Sequence, residues 1–282
     1  MAATLAQRLG YSADARLAIV NCDDFGSSHA ANAAILRALD EGVATSATLM
    51  VPCPWAREAA RMARGHDVGV HLTLTAEYPG YRWRSLTGAA SLHDNDGFLP
   101  ATAAEAIARA TPEELHAECR AQIDQALAWD VDVTHLDSHM GVNQIDARFF
   151  DIYIDLATEY RLPLRMFGRR TDGFLGFSGK ARSAERGVLF ADHILDSWGG
   201  DTRTMLIDKL PRLAEGVTEI FAHPVDDGPE LRGYDPDNPQ RRVEDGLLFT
   251  DPATRDLFDE AGVSRISYRP LRELQRGVSP GN

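Results

Sequence analysis

Short apolar runs alternate with amphipathic stretches along almost the whole chain, and no other feature restricts the fold as much. The runs lie at 17–22, 46–51, 68–74, 133–136, 164–167, 219–222 and 263–267. Each has the length of a buried strand. The intervening stretches carry helix signals. Ser27 or Ser28 can cap a helix through about Leu39, closed by Gly42. A helix is expected over 55–64, and Thr111, Pro112 and Glu114 open another that runs to about Trp129. Further helices are expected over 149–160, 202–213 and 252–260. Residues 78–101 read as a long loop with aromatic and Gly residues, 171–200 as weakly patterned, and 226–242 as a polar loop. Repeated strand–helix alternation implies an α/β fold with a parallel sheet and helices outside it. A distorted TIM-like (β/α) barrel accounts for it best, as a single domain over 1–282. The runner-up, an open doubly wound sheet, normally carries a Gly-rich phosphate loop, and Gly26-Ser27-Ser28 is not one.

In such barrels, chemistry gathers at the C-terminal strand ends. Adjacent acids Asp23 and Asp24 follow the first run. Two neighbouring carboxylates disfavour each other's ionisation, and a cation relieves that. One can then hold the ion while the other acts as a base. Capping of the following helix is the competing explanation, but one Asp would suffice for it. His71 lies inside the third run, on the same strand face as Thr73. His135, Asp137 and His139 share a face if the fourth strand continues. His135 then sits deeper and His139 nearer the mouth, which favours His139 as a ligand. Asp137 is placed to orient an imidazole through its second nitrogen. His223, ahead of Pro224, suits a general acid at a strand end. Arg165 can hold a substrate oxygen or pair with an active-site carboxylate. Tyr78, Tyr81 and Trp83 are either ordinary packing or a lid that stacks on a sugar ring. His135, Asp137, Arg165, Tyr78 and Trp83 make up the candidate substrate-binding set.

The 282 residues carry a net charge of −13, which argues against nucleic acid or an anionic membrane as partner. The N-terminal segment lacks a signal-peptide pattern, and no run reaches membrane-spanning length. Cys22, Cys53 and Cys119 are odd in number and widely spaced. No disulfide framework is expected, and the inferred compartment is a reducing cytoplasm.

Five segments, in order, resemble the YdjC-like carbohydrate deacetylase family. They are Asn21-Cys22-Asp23-Asp24-Phe25-Gly26, Thr45-Ser46-Ala47-Thr48-Leu49-Met50-Val51, Gly69-Val70-His71-Leu72-Thr73-Leu74-Thr75, Thr134-His135-Leu136-Asp137-Ser138-His139 and Ala222-His223-Pro224. The resemblance covers residues 17 to about 268. It implies a distorted TIM-like barrel, one divalent ion and removal of an N-acetyl group from an amino sugar. It further implies that Asp24, His71 and His139 bind the metal and that Asp23 is the base. More distantly, the arrangement is similar to the NodB-type polysaccharide deacetylases. Where the family often continues with His-His-His-Val-His, this chain has His139-Met140-Gly141-Val142-Asn143, and its Ala222 stands where the family has Cys.

The expected function is therefore metal-dependent hydrolysis of an N-acetyl group on a small carbohydrate, with release of acetate. Two His and one carboxylate suit zinc or iron on ligand softness, whereas the resembled family is usually described with magnesium. Competing readings are a metal-dependent sugar isomerase or lyase, an amidohydrolase for another acyl substrate, and a non-catalytic sugar- or metal-binding protein. Association as a homodimer is a further expectation, drawn from barrel enzymes in general.

Overall fold

Arg16–Phe25 (β1) is buried along its length after Arg16, as the strand at the centre of a sheet must be. The computed structural model describes residues 3–197 and 200–278. The other strands are Ser46–Leu49 (β2), Val68–Leu72 (β3), Leu136–Ser138 (β4), His193–Asp196 (β5), Gly216–Ala222 (β6) and Ser264–Ile266 (β7). All described pairings between these strands are parallel. The order is β4-β3-β2-β1-β6-β5, with β7 paired to the start of β1. Leu164 forms parallel bridges to Leu136 in β4 and to Phe190, just ahead of β5. These bridges draw the sheet edges together, so the sheet curls into a distorted (β/α) barrel.

Strand alternation sorts side chains between two environments. Ala18, Val20 and Cys22 join the large core shared with the outer helices. Leu17 and Ile19 point the other way, into a smaller cluster with Ala6, Leu9, Val217, Ile266, Tyr268 and Leu271. That cluster fills the N-terminal end of the barrel. The same inward row continues as Asn21 and Asp23, so the interior is apolar at one end and polar at the other. Gly69 on β3 permits this filling. A Cβ there would lie 2.6 Å from both the carbonyl oxygen and Nδ1 of His135.

The expected alternation holds, with shifted limits. β1 extends past Cys22 to include both acids. The fourth strand begins at Leu136, after His135, and the expected strand at 164–167 reduces to the Leu164 bridges. The weakly patterned stretch holds helices Arg169–Leu175 and Gly179–Glu185 as well as β5. The expected polar loop holds helix Pro229–Tyr234 and the start of Pro239–Thr250, each opened by a proline. Among the described residues, no helix is long and apolar enough to cross a membrane.

Candidate active site

A regular strand sends adjacent side chains to opposite faces. At Asp23 and Asp24 this rule is broken. The register between β1 and β2 slips between Cys22 and Phe25, and Asp24 takes a left-handed backbone with φ of 66°. The bulge brings both carboxylates to one cavity, a common use of bulges beside active sites. Holding a non-glycine residue there costs on the order of 1 kcal/mol. Gly26 completes the turn at φ +94°, where a Cβ would stand 2.9 Å from the Ala56 backbone. Ser28 caps the next helix by accepting from Ala31 N at 3.0 Å. Neither aspartate is needed for capping.

Three potential ligand atoms converge beside this turn. His71 Nε2 lies 3.2 Å from His139 Nδ1, and Asp24 Oδ1 lies 3.5 and 3.4 Å from those two nitrogens. Ligand atoms about 2.1 Å from a shared tetrahedral ion stand about 3.4 Å apart. Asp24 Oδ1 is buried without a hydrogen-bond partner, an uncompensated acceptor that a cation would satisfy. The far nitrogen of each imidazole meets a carboxylate. His71 Nδ1 is 2.6 Å from Asp137 Oδ1, and His139 Nε2 is 3.1 Å from Glu77 Oε2. Such partners fix the tautomer and raise the basicity of a metal-binding His. Burial lowers both imidazole pKa values, but the charge of Asp137 carries His71 up to about 10 and that of Glu77 carries His139 up to about 9. The donor set, its spacing and its outer carboxylates all fit a divalent cation.

Beneath this group lies a buried ionic cluster. The Arg165 guanidinium forms two bonds to Asp23, at 2.5 and 2.7 Å, and reaches Asp137 at 2.9 Å and Glu219 at 2.8 Å. Its carbon lies 4.2 Å from the centre of the Phe221 ring. Tyr268 donates to Glu219 at 2.5 Å, and Asn21 donates to Asp23 at 2.8 Å. Burial pushes the Asp23 carboxyl up, but Arg165 outweighs it and leaves the value at about 2. His223 Nε2 is 4.0 Å from Asp23 Oδ2, and burial lowers its pKa. The His223 main-chain N–H donates to Asp245 at 3.0 Å.

The cavity has a volume of about 570 Å³ and is lined by both acids, His71, His139, Arg165 and His223. Its rim includes Glu77, Tyr78, Met140, Phe167, Tyr234 and the segment from Asp235 to Asn238. Arg242 ties that segment down. It donates to Asp24 at 2.8 Å, Asp235 at 2.7 Å and the Tyr78 hydroxyl at 2.6 Å.

The structure thus gathers Asp23, Asp24, His71, His139, Arg165, His223 and Tyr78 around one cavity. Asp137 is fully buried and faces His71 and Arg165, so it is out of reach of substrate. His135 is corrected as a substrate contact. It is fully buried, stacked at 3.7 Å on Tyr268, and bonded to the Thr134 hydroxyl. Trp83 is also corrected. Its indole N–H donates to the Thr75 carbonyl, and the ring packs edge-on to Tyr78 and Tyr81. Tyr81 donates to the Ser27 carbonyl. These aromatics form a packed wall rather than an open lid. Sequence reasoning missed Glu77, Glu219, Tyr234, Asp235 and Arg242. None lies in a recognisable motif, although Glu77 adjoins Tyr78.

The family model described as YdjC-like protein matches residues 17–260. The chain is 35% identical over 264 residues to a carbohydrate deacetylase of Geobacillus stearothermophilus, covering 92% of this chain and 99% of that relative. It is 40% identical over 276 residues to a carbohydrate deacetylase of Thermus thermophilus, covering 95% and 98%. A solved structure described as a candidate cellobiose-phosphate cleavage protein of Enterococcus faecalis is similar with a TM-score of 0.80. That match has 25% identity and spans 91% of this chain and 99% of the other. The resemblance carried by the five ordered motifs is borne out, and the chain belongs to the YdjC-like protein family.

Proposed function

We propose that this protein is a divalent-metal-dependent carbohydrate deacetylase that hydrolyses the N-acetyl group of a small amino sugar and releases acetate. The observation that carries this reading is the convergence of Asp24 Oδ1, His71 Nε2 and His139 Nδ1 beside Asp23 in one cavity. Carbohydrate deacetylases among its relatives support the reaction class. Asp24, His71 and His139 would hold the ion, and their spacing suits tetrahedral zinc more closely than an octahedral ion with shorter ligand separations. When bound, the ion supplies Lewis acidity toward the acyl carbonyl and the attacking water.

The remaining chemistry belongs to the chain. Arg165 and Asn21 fix Asp23, which is ionised throughout the physiological range and faces the cavity. In this reading Asp23 accepts the proton of the attacking water, and His223 protonates the leaving nitrogen. Asp137 and Glu77 hold the two imidazoles in register. Tyr78 and Tyr234 give the sugar an aromatic wall.

One observation favours a second assignment of the proton steps. A carboxyl held near 2 by Arg165 is a weak base, whereas burial lowers the His223 pKa and so favours its neutral, proton-accepting form, 4.0 Å away. His223 would then take the proton and return it to the leaving amine, with Asp23 stabilising the imidazolium. Acetate release by Asp23→Asn and His223→Gln across pH separates the two. If Asp23 is the base, Asp23→Asn abolishes turnover with metal retained, and His223→Gln keeps residual activity that rises with more acidic leaving groups. The opposite ranking supports His223 as base. Full activity in both variants would refute the deacetylase site.

A further inference from the structure

Tyr78 lines the cavity, is 8% exposed, and meets Arg242 Nη2 at 2.6 Å. A guanidinium only donates, so the phenol oxygen is the acceptor in that contact and its own O–H points elsewhere. Burial pushes the phenol pKa well above its usual value, so the proton stays on oxygen. Among the described residues nothing accepts that proton. An unpaired buried donor is costly, and a ligand oxygen in the cavity would satisfy it. The other wall hydroxyl differs, because Tyr234 is paired with Ser28 Oγ at 3.2 Å. Wall packing does not account for the Tyr78 hydroxyl either. The ring packs edge-on to Trp83 and Tyr234, contacts that a phenylalanine would make as well.

The guanidinium that holds this hydroxyl also holds a metal-binding carboxylate. Arg242 Nη1 donates to Asp24 Oδ2 at 2.8 Å, and Nε donates to Asp235 at 2.7 Å. The two terminal nitrogens of one planar fork therefore set Asp24 and Tyr78 side by side. With Oδ2 taken by Arg242, Asp24 keeps Oδ1 for the side facing His71 and His139. An acyl carbonyl brought to those three ligands arrives beside the Tyr78 O–H.

We propose that the Tyr78 hydroxyl is a catalytic hydrogen-bond donor to the acyl oxygen, with Arg242 as the residue that positions it. This deepens the deacetylase reading and rests on it for the acyl group. No bond forms or breaks at Tyr78, and its proton stays on the phenol. The donor acts because the acyl oxygen gains negative charge as water attacks, and a hydrogen bond already aimed at that oxygen strengthens with the charge.

The test compares the full chain with its Tyr78→Phe and Tyr234→Phe variants, each loaded with the same divalent ion, on N-acetylglucosamine oligosaccharides. Acetate release gives kcat and KM, and competition with a chelating dye gives metal affinity. Tyr78→Phe should lose kcat about 100-fold or more, with KM little changed and metal affinity retained. Tyr234→Phe, whose hydroxyl is already paired, should lose far less. The Tyr78→Phe deficit should shrink on the N-trifluoroacetyl sugar, measured by trifluoroacetate release, because the fluorines already stabilise the oxyanion. Undiminished kcat, a loss confined to KM, or an equal deficit on both acyl groups would overturn the proposal while leaving deacetylation intact. A fall in kcat that only tracks lost metal would overturn it too. No acetate from the unaltered chain with any ion would instead sink the deacetylase reading itself, and the Tyr78 assignment with it.

Discussion

Replacing Arg165 by Met removes the charge that compensates three buried carboxylates at once. Asp23, Asp137 and Glu219 all contact this guanidinium, and all are buried. For Asp23 alone, the fall from the ordinary 3.8 to about 2 corresponds to about 2 kcal/mol of folding stability at neutral pH. This carboxyl is depressed in the fold. Its contribution is complete above the unfolded carboxylate range and is lost as pH falls toward about 2. In Arg165→Met, burial has no opposing cation and raises the Asp23 carboxyl instead. The loss at pH 7 should then reach about 3–5 kcal/mol, the usual cost of removing one partner from a buried ion group. Because protonation relieves the stranded acids, the deficit should be larger at pH 8 than at pH 5.5. Urea unfolding of wild type, Arg165→Met and Arg165→Lys at both pH values measures it, with Lys restoring part of the loss. Accumulation of folded Arg165→Met at pH 5.5 but not at pH 8 would support the same reasoning. A deficit below about 1 kcal/mol, or one independent of pH, would refute it.

Two further outcomes follow from the imidazole pair. With His71 raised to about 10 and His139 to about 9, both rings hold protons at pH 7 when no metal is bound. Loading a divalent cation should release about two protons, and apparent affinity should climb with pH toward those values. Calorimetry in buffers of different ionisation enthalpy counts the protons, and a count of zero would contradict the ligand assignment. Glu77→Gln removes the carboxylate behind His139 Nε2. It should weaken metal binding about 10–100-fold by competition with a chelating dye, while unchanged affinity would show that Glu77 does not support His139.

Much of the site was legible because its residues lie where strands end. Asp23, Asp24, His71 and His139 each sit in a short, distinctive segment, and strand alternation placed His71 and Asp137 on inward faces that meet in register. Alternation also misplaced His135. It points inward as expected, but at a level where Tyr268 from beyond β7 fills the barrel and leaves no room for a ligand. β5 escaped notice because only its middle residues are even partly buried, so no apolar run marks it. Arg242 could not be found locally. It reaches Asp24 across 218 residues of chain, from a helix whose start read as polar loop. Glu219 was hidden inside an apolar strand, where its partners Arg165 and Tyr268 come from distant segments. Contacts set by chain crossings leave no periodic trace in the sequence.

The most direct test is acetate release from N-acetylglucosamine mono- and oligosaccharides by protein stripped of metal and reloaded separately with magnesium, zinc, manganese or iron. Metal content is measured alongside. The account predicts no release from stripped protein and restored release with at least one ion. It predicts one ion bound per chain, lost together with activity in His71→Ala. Undiminished release after stripping, or none with any ion that demonstrably binds at Asp24, His71 and His139, would contradict it.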